Sequence, residues 1–447
     1  MIELENRFDT ATEFQAMAER VLEAAKAKGA TAAELDIDKG TGLSVEVRMG
    51  QVDKLQYHRD QGINITVYFG HRKGFASTGD FSRQAVEDTL DAACRIARYT
   101  SEDEFNGLAD PEQMATVFPK LDLYHPWELD AEMAVEMALQ AESVAREHDQ
   151  RITNSEGASV DSYAGLSLYA NSHEFMGIRH STRHSLSCAV VAQDGDSMQR
   201  DYWYSVSRVP GYLDSADTVG AEAAQRALRR LHARSLSTRE APVLFSPQMA
   251  RGLMGSLVGA ISGGSQYRKA SFLLNSLGQQ VFPEFVHLYE DPFIRQGLGS
   301  RSYDGEGVAT RQRDIVKDGV IQDYFLGSYS ARKLGMKSTG SASGASNLLL
   351  ADTGVSFVDL LQQMGTGLLV TELIGHGINS ITGDYSRGAV GYWVEDGMIV
   401  HPVEEVTIAG NLKDMFRGIV GIGDDVDERG SIRTGSVLID KMTIAGQ

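Results

Sequence analysis

Apolar residues recur at helical spacing along residues 11–28, where Phe14, Met17 and Val21 lie three or four positions apart. Side chains with this spacing share one face of a helix, so the segment predicts an amphipathic helix. Gly29 follows the last apolar position and can end the helix, since glycine readily adopts the left-handed conformation found there.

Short alternating runs of apolar and polar residues follow this helix. Glycine or a polar pair separates each run from the next, and the runs occupy residues 33–38, 42–51, 52–60, 62–70 and 73–80. Alternation with a period of two is typical of strands with one buried face. The segment therefore predicts an antiparallel meander of four or five strands.

A helix is predicted to close this first unit, beginning at Asp80 or Ser82 and reaching about Tyr99. The side-chain oxygen of either residue can accept a hydrogen bond from a free backbone N–H at the start of a helix. Residues 100–129 lack periodicity and contain three prolines, which predicts a linker that follows the surface.

The middle of the chain repeats the combination of helices and long alternating strands. Helices are predicted at about 130–148 and 215–232, with strands between them. The strand pattern is interrupted at Asp194-Gly195, a pair that favours a hairpin turn.

From Pro242 onward, a third unit begins with a helix that Ser246 can cap and in which Pro247 is the first residue. Two later segments read strand, Asp-Gly, strand, with the turns at Asp318-Gly319 and Asp396-Gly397. We expect a curved or barrel-like sheet with a few helices. The whole chain is therefore predicted to be α+β, with domains at 1–115, 116–238 and 239–447.

Composition narrows the classes of function. The 447 residues include 42 Lys+Arg and 61 Asp+Glu, a formal net charge of −19, so the cationic surface that nucleic-acid binding needs is not available. No apolar stretch is long enough for a transmembrane helix, and the N-terminus lacks the features of a secretory signal. Only two cysteines occur, Cys94 and Cys188. We expect a soluble, cytoplasmic protein without disulfides.

Local motifs offer no complete catalytic site. The segment Thr371–His376 resembles a zinc-binding helix with one histidine missing, and a glycine-rich turn is the simpler interpretation. His180 and His184 have the spacing of paired ligands on a helix, but their context predicts a strand, on which they lie about 13 Å apart. The turn at Gly263–Ser265 offers either an anion site or an ordinary tight turn.

Several carboxylates lie near glycine-rich turns, and the simplest interpretation of all of them is that they are solvated: Asp304, Glu306, Asp314, Asp384 and Glu395. The sequence contains no G-x-S-x-G motif that would present a nucleophilic serine. Serine, histidine and aspartate are plentiful, yet no local order selects a triad.

Longer stretches resemble the PmbA/TldE branch of the TldD/PmbA family. They include GGSQYRKASFLLNSLG and TELIGHGINSITGDYSRGAVGYWVEDG, and the resemblance covers about residues 10–447. It implies an α+β N-terminal part and a barrel-like C-terminal part. It also implies a cytosolic pair of a TldD-type and a TldE-type chain, which encloses a cavity and cleaves small or unfolded peptides with zinc.

The resemblance also implies where this chain departs from its TldD-type relatives, which carry HExxxH on a helix and a cysteine ligand near the C-terminus. The three helix positions fall on Gly255, Ser256 and Ala260. No cysteine follows Cys188, and Arg433-Thr434-Gly435 is the nearest equivalent of the cysteine segment. We therefore expect no metal in this chain, zinc in a TldD-type partner, and a supporting role in the cavity and in peptide binding.

Two other functions stay open on the sequence alone. One is a metal-independent protein that binds peptides or a regulatory partner without any TldD-type chain. The other is an atypical metallopeptidase that uses Glu372 and His376. The candidate cavity residues are Glu372, His376, Arg268, Tyr385 and Arg387. An isolated chain can also be expected to form a homodimer, since two-fold interfaces are commonly reused.

Overall fold

The computed structural model describes residues 7–446 and confirms the α+β class. Its N-terminal half contains, in chain order, α1 (Arg7–Ala27), β1 (Ala32–Arg48), β2 (Gln51–Phe69), β3 (Arg72–Thr78), α2 (Arg83–Tyr99), α3 (Ala131–Glu147), β4 (Ile152–Asn171), β5 (Met176–Asp194), β6 (Ser197–Ser207) and α4 (Ala216–Arg229). Gly29 follows α1 with a φ of +86°, so the predicted helix end is confirmed. None of the described helices is long and apolar enough to cross a membrane.

The observed meander has fewer and longer strands than predicted. The first two runs merge into β1 and the next two into β2, so the meander has three strands instead of four or five. Gly40 lies within β1 and not between two strands. The phenol ring of Tyr163 covers this glycine, and a β-carbon there would lie 2.0 Å from the Tyr163 oxygen. This glycine provides space for a neighbouring ring and does not end a strand.

The six strands form one antiparallel sheet in the order β3-β2-β1-β4-β5-β6. All four helices cover the same face of it: α1 and α2 pack on residues such as Leu35 and Leu168, and α3 and α4 pack on residues such as Val45 and Leu186. Ser82, Asp130 and Ser215 cap their helices through side-chain oxygens. Because β1 pairs with β4, the sheet runs across residue 115, and the domain boundaries stay a prediction.

The segment 100–129 is irregular as predicted, apart from one 3₁₀ turn at Pro111–Gln113. It does more than follow the surface, however, because Leu108, Met114 and Leu121 are buried. Met114 also forms a β-bridge with Val308 of the C-terminal part. The segment therefore packs between the sheet and the C-terminal part.

The C-terminal part begins with β7. In chain order it contains β7 (Arg239–Phe245), α5 (Pro247–Ala260), α6 (Gly263–Tyr267), β8 (Leu288–Glu290), β9 (Arg313–Lys317), β10 (Val320–Ile321), α7 (Ser328–Leu334), β11 (Leu348–Leu350), α8 (Phe357–Met364), β12 (Gly367–Ile374), β13 (Asp384–Glu395), β14 (Met398–Asn411), α9 (Leu412–Arg417), β15 (Ile419–Ile422), β16 (Ile432–Arg433) and β17 (Val437–Ala445).

Five of these strands close into a barrel, which confirms the barrel-like expectation. They are adjacent in the order β14-β13-β12-β7-β17, and β14 pairs again with β17 to complete the ring. A smaller sheet, β10-β9-β8-β11-β16, lies in the same part of the chain. One hydrophobic core, which includes Phe245, Leu257 and Phe416, joins the barrel, α5 and this smaller sheet.

The predicted hairpins are confirmed. Asp318 and Gly319 connect β9 to β10, and Asp396 and Gly397 connect β13 to β14, all with positive φ as a type I′ turn requires. The hairpin between β5 and β6 also forms, although its two loop residues are Gly195 and Asp196, one position later than predicted.

Candidate functional site

Helix α5 contains Gly255, Ser256 and Ala260, the three positions at which we expect other residues in place of those of a zinc-binding motif. Ser246 precedes the helix and Pro247 is its first residue, as predicted, although the Ser246 hydroxyl makes no capping hydrogen bond. Proline suits this position because an N–H would find no partner within the helix there. The residues buried along one side are Ala250, Leu253, Met254, Leu257 and Ala260. This apolar stripe determines which side of α5 faces outward.

The outward side is uncovered. A β-carbon added at Gly252, Gly255 or Gly259 would meet no neighbouring atom within 4 Å. Ser256 lies on the same side, and its hydroxyl donates a hydrogen bond to the Gly252 carbonyl at 2.9 Å. We call these four residues the open face of α5. Glycine costs a helix about 1 kcal/mol relative to alanine, and no close packing accounts for glycine at these positions.

Alanine at Gly255 or at Gly259 should therefore stabilise the chain by about 0.5–1 kcal/mol at each position. Thermal unfolding of the two variants measures the effect. Gly74 provides the contrast, because its β-carbon would lie 2.1 Å from the Ala93 carbonyl and G74A should destabilise. Destabilisation by G255A would show that another element covers the open face.

The side chains at the motif positions do not fit a zinc ion. Zinc takes cysteine, histidine or carboxylate ligands, and Gly255 and Ala260 have no donor atom beyond their backbone. Ala260 is 3% exposed, and its carbonyl already accepts hydrogen bonds from Gln266 and Ser271. Among the side chains that the structure describes, those of residues 10–446, no group of three or more His, Cys, Asp or Glu could hold a metal ion.

The segment expected near the missing cysteine ligand lies beside α5. Strand β16 ends at Arg433, packs against α5 and pairs with β11. The Arg433 guanidinium is mostly buried and lies 3.7 Å from Glu428, and the buried Thr434 hydroxyl donates to the Gly435 carbonyl. This segment offers a cation and a hydroxyl group where a zinc site needs a thiolate.

A buried carboxylate holds α5 against the middle of the chain. Asp427 lies 2.6 Å from Arg251 of α5 and 3.0 Å from Arg429. Burial alone would raise the pKa of Asp427, but the hydrogen bonds from Arg429 and the charges of both arginines hold it below its usual range. Arg251 also donates to the Tyr204 hydroxyl, and Arg429 lies over the Trp203 ring at 3.8 Å. These contacts fix the position of the open face relative to β6.

Comparison with known proteins gives the family. Three family models match the chain in succession: PmbA/TldA metallopeptidase domain 1 over 33–97, the central domain over 124–231 and the C-terminal domain over 238–446. The chain belongs to the PmbA/TldD family. The resemblance to its PmbA/TldE branch is thereby confirmed over most of the chain.

Relatives within the PmbA/TldD family are similar over nearly their full length. The chain is 51% identical to the metalloprotease PmbA of Escherichia coli O157:H7, over 93% of this chain and 92% of that protein. It is 46% identical to the PmbA homologue of Haemophilus influenzae, over 94% and 93%.

Solved structures agree on the fold. A protein of Bacteroides thetaiotaomicron that is proposed to modulate DNA gyrase superposes with a TM-score of 0.92 at 28% identity, over 97% of this chain and 99% of that one. TldE of Thermococcus kodakarensis superposes with a TM-score of 0.85 over 96% and 100%, and at 19% identity it supports the fold alone.

The segment Thr371–His376 of this PmbA/TldD chain is not a helix. Its first four residues belong to β12, between β7 and β13, and Gly375 has a φ of +79° that ends the strand. Glu372 lies 2.5 Å from Arg230, and His376 is exposed in the following loop. The turn is confined to Gly375 and His376, and the helical zinc interpretation is wrong because the four residues before them form part of β12 in the barrel.

Of the remaining cavity candidates, the structure brings together only Tyr385 and Arg387, which interact on β13. Arg268 is exposed and follows α6. Its one described hydrogen bond to a side chain is donated to the hydroxyl of its neighbour Tyr267, at 3.1 Å. Tyr385 is 3% exposed within the barrel core, and burial raises its pKa to about 12. Arg387, two residues along β13, donates to the Leu373 carbonyl. Tyr385 and Arg387 support the barrel, and the open face of α5 is formed by other residues.

The histidine pair follows the simpler interpretation, whereas the glycine segment forms a short helix instead of a tight turn. His180 and His184 both lie on β5, as predicted. His184 is fully buried, and its two ring nitrogens contact the His125 carbonyl and the Ser162 hydroxyl, each at 2.9 Å. Gly263 begins the five-residue helix α6, which Ser262 caps. These contacts make the histidine and serine side chains structural.

One of the acids expected to be solvated is buried. Asp304 is 2% exposed and accepts hydrogen bonds from the N–H groups of Glu306, Val308 and Ala342. Burial raises its pKa to about 6, although those hydrogen bonds act in the opposite direction. The expectation for Asp304 was therefore wrong, because its turn packs between the C-terminal part and the sheet. Asp314 is paired with His287 and Lys317, and Asp384 accepts hydrogen bonds from Thr382 and Asn411. These contacts lower the pKa of each carboxyl group.

A row of carboxylates on β1 was not singled out in the sequence. Glu34, Asp36 and Asp38 alternate along β1 on the face opposite the helices. Burial raises the pKa of Glu34, which accepts hydrogen bonds from the hydroxyl groups of Tyr68 and Tyr169 at 2.8 Å each. Alternating acids between apolar residues could have indicated this row. The partial burial of Glu34 and Asp36, however, depends on the C-terminal part that packs over them, and Asp38 is exposed.

Proposed function

We propose that this chain is the TldE-type subunit of a cytoplasmic, zinc-dependent peptidase pair that cleaves small or unfolded peptides. In this arrangement a TldD-type chain holds the zinc ion and the general base. Membership of the PmbA/TldD family and the names of the metalloprotease relatives support the reaction class. The observation that carries the assignment of roles is α5, which presents Gly255, Ser256 and Ala260 and hence no zinc ligand.

The role of this chain is then to complete the cavity and to support the peptide. The open face of α5 suits this role because its glycines let another backbone approach closely. The Asp427 cluster holds the helix in place, so the face is available without rearrangement. An extended peptide could also add to an exposed strand edge by backbone hydrogen bonds.

The first experiment compares the isolated chain with the pair. The purified chain should carry no stoichiometric zinc and should leave an unfolded test peptide intact, whereas adding a TldD-type chain should give a zinc-containing, active complex. Stoichiometric zinc and full activity in the isolated chain would overturn the assignment. Full activity of the TldD-type chain alone would favour a separate binding function for this protein.

A substitution tests the open face within the pair. Gly255→Trp fills space that is empty in this chain, so it should lower kcat/KM for peptide cleavage by tenfold or more without changing the zinc content. Gly211→Trp is the matched control, because Gly211 is also exposed and its β-carbon would meet nothing within 4 Å. Equal activity of both variants would exclude a role of the open face in catalysis by the pair.

A further inference from the structure

A pocket of about 200 Å³, which we call the β5 pocket, lies at the junction of the N-terminal sheet with the C-terminal part. It is lined by residues of three stretches of the chain: 118–123, 178–180 and 301–303. Backbone hydrogen bonds hold its walls in place. The Thr182 N–H donates to the Leu123 carbonyl at 2.9 Å, and the Arg301 N–H donates to the Pro292 carbonyl at 3.0 Å. The β5 pocket is therefore preformed, as small-molecule sites usually are.

Tyr303 forms one wall of the β5 pocket. This residue is 8% exposed, and its ring lies against Gly177 of β5, where a β-carbon would be 2.5 Å from the ring. Phe118 packs edge-on against the same ring, with the two centroids 6.0 Å apart. Gly177 thus makes room for the phenol ring, and Phe118 holds it in position.

Two arginines of the β5 pocket lack a counter-charge. No carboxylate lies within 4 Å of Arg179 or Arg301 in the described part of the chain. Arg301 donates to the carbonyls of Ser343 and Gly344, yet its Nε is buried and has no hydrogen-bond partner. Burial lowers the pKa of Arg301, and the charge of Arg179 acts in the same direction, although two carboxylates beyond 4 Å oppose it. An anion in the pocket would compensate these charges.

Two further arginines add positive charge near the β5 pocket. Arg183 follows Arg179 on the same strand, and Arg208 donates to three backbone carbonyls. Burial lowers the pKa of Arg208 to about 10, and the charges of Arg179 and Arg183 act in the same direction. Arg179 also acts on the carboxyl groups of Asp36 and Asp38, but neither lies within 4 Å of it. The four arginines therefore form a positive cluster without a directly paired acid.

The other polar groups of the β5 pocket leave donors unused. Its carboxylate, Asp122, lies 2.9 Å from Arg295 and accepts a hydrogen bond from the Gln296 amide at 2.6 Å. The hydroxyl groups of Ser302 and Tyr303 make no hydrogen bond with another described residue. Hydroxyl and guanidinium groups both donate, whereas the one strong acceptor is already engaged. A negatively charged ligand that only accepts hydrogen bonds matches this set.

We propose that the β5 pocket binds a phosphate ion between Arg179, Arg301 and the hydroxyl groups of Ser302 and Tyr303. Guanidinium groups donate two parallel hydrogen bonds to phosphate, and phosphate offers more acceptor oxygens to these four side chains than a carboxylate does. The net charge of −19 repels anions from the surface in general, so binding has to come from a local site. The inference does not rest on the proposed function, since it needs no TldD-type chain, zinc or peptide.

Isothermal titration calorimetry of the full-length chain with inorganic phosphate, at an ionic strength held constant with chloride, tests the proposal. The unaltered chain should bind one phosphate saturably, and acetate should bind roughly tenfold more weakly or less. R179Q should weaken phosphate binding by roughly tenfold or more, because it removes a charged donor that no other described residue engages. Y303F keeps the ring and removes only the hydroxyl group, and it should weaken binding by roughly threefold or more.

R183Q is the matched control, because Arg183 is an exposed arginine on the same face of β5 that does not line the pocket. Its charge acts through solvent, so the affinity for phosphate should change by less than about threefold. Thermal unfolding without phosphate shows that each variant folds. The proposal would be overturned if the unaltered chain bound no phosphate saturably or bound acetate as tightly. Equal weakening by R179Q and R183Q would contradict it as well, since general attraction of anions predicts that result.

Discussion

Replacing Arg313 by methionine should destabilise the folded chain by about 3–5 kcal/mol, since it removes one partner of a buried ion pair. The Arg313 side chain is 6% exposed and lies 2.7 Å from both Glu290 and Asp323. It also donates to the Tyr324 carbonyl and the Ser341 hydroxyl. Without it, Glu290 keeps a buried charge whose described partners are the N–H and hydroxyl of Ser346. Denaturant unfolding of R313M measures the loss.

Arg311 gives the control for this experiment. It contacts the same Asp323 at 3.5 Å, but its side chain is 58% exposed, so R311M should change the stability by less than about 0.5 kcal/mol. The double variant E290Q/R313M should recover part of the loss, because it removes the unpaired charge as well. Equal stability of R313M and R311M would mean that Glu290 finds water or another partner when the arginine is gone.

Local sequence patterns predicted which helices, strands and turns occur better than they predicted the lengths of these elements. The cap at Ser82, the helix start at Pro247 and the Asp-Gly turns depend on neighbouring residues only, so they could be recognised in the sequence. The merging of strands around Gly40 could not, because it depends on Tyr163, more than a hundred residues away, lying across that glycine. A glycine that ends a strand and one that makes room for a ring have the same local sequence.

The candidate site also combines features that the local sequence predicts with features that depend on distant residues. The residue types at Gly255, Ser256 and Ala260 follow from the sequence once the family pattern is applied. That three glycines of α5 face open space does not follow, because it depends on which elements stay away from the helix. The burial of Asp304 likewise results from packing between distant segments, and no local feature of its turn indicates it.

The carboxylate row on β1 leads to the second large effect: the stability of this chain should fall as pH rises from about 4 to 7. Burial, followed by the charges of Glu34 and Asp38, raises the pKa of Asp36 to about 7, while Arg179 acts in the opposite direction. The unfolded chain releases this proton near its ordinary pKa of 3.8. Between these values the folded state binds more protons, so each increase in pH favours unfolding, by up to about 4 kcal/mol in all.

Asp36→Asn removes this titration and keeps the shape of the side chain. D36N should be more stable than the unaltered chain by about 2–4 kcal/mol at pH 8, and the two should nearly converge at pH 4, where Asp36 is protonated in the folded chain and roughly half protonated in the unfolded one. D196N is the control, since Asp196 lies exposed in the hairpin loop between β5 and β6 and its replacement should have the same small effect at both pH values. Unfolding in urea at pH 4, 6 and 8 gives the comparison.

The direction of the result at pH 8 distinguishes two physical descriptions of the row. If burial and the neighbouring acids dominate, the charged form of Asp36 is unfavourable and asparagine stabilises. If D36N instead destabilises at pH 8, the attraction of Arg179 outweighs burial, and Asp36 acts as a paired carboxylate across β4. In that case Arg179→Gln should destabilise too, whereas under the first description it should raise the pKa of Asp36 further and steepen the loss of stability with pH.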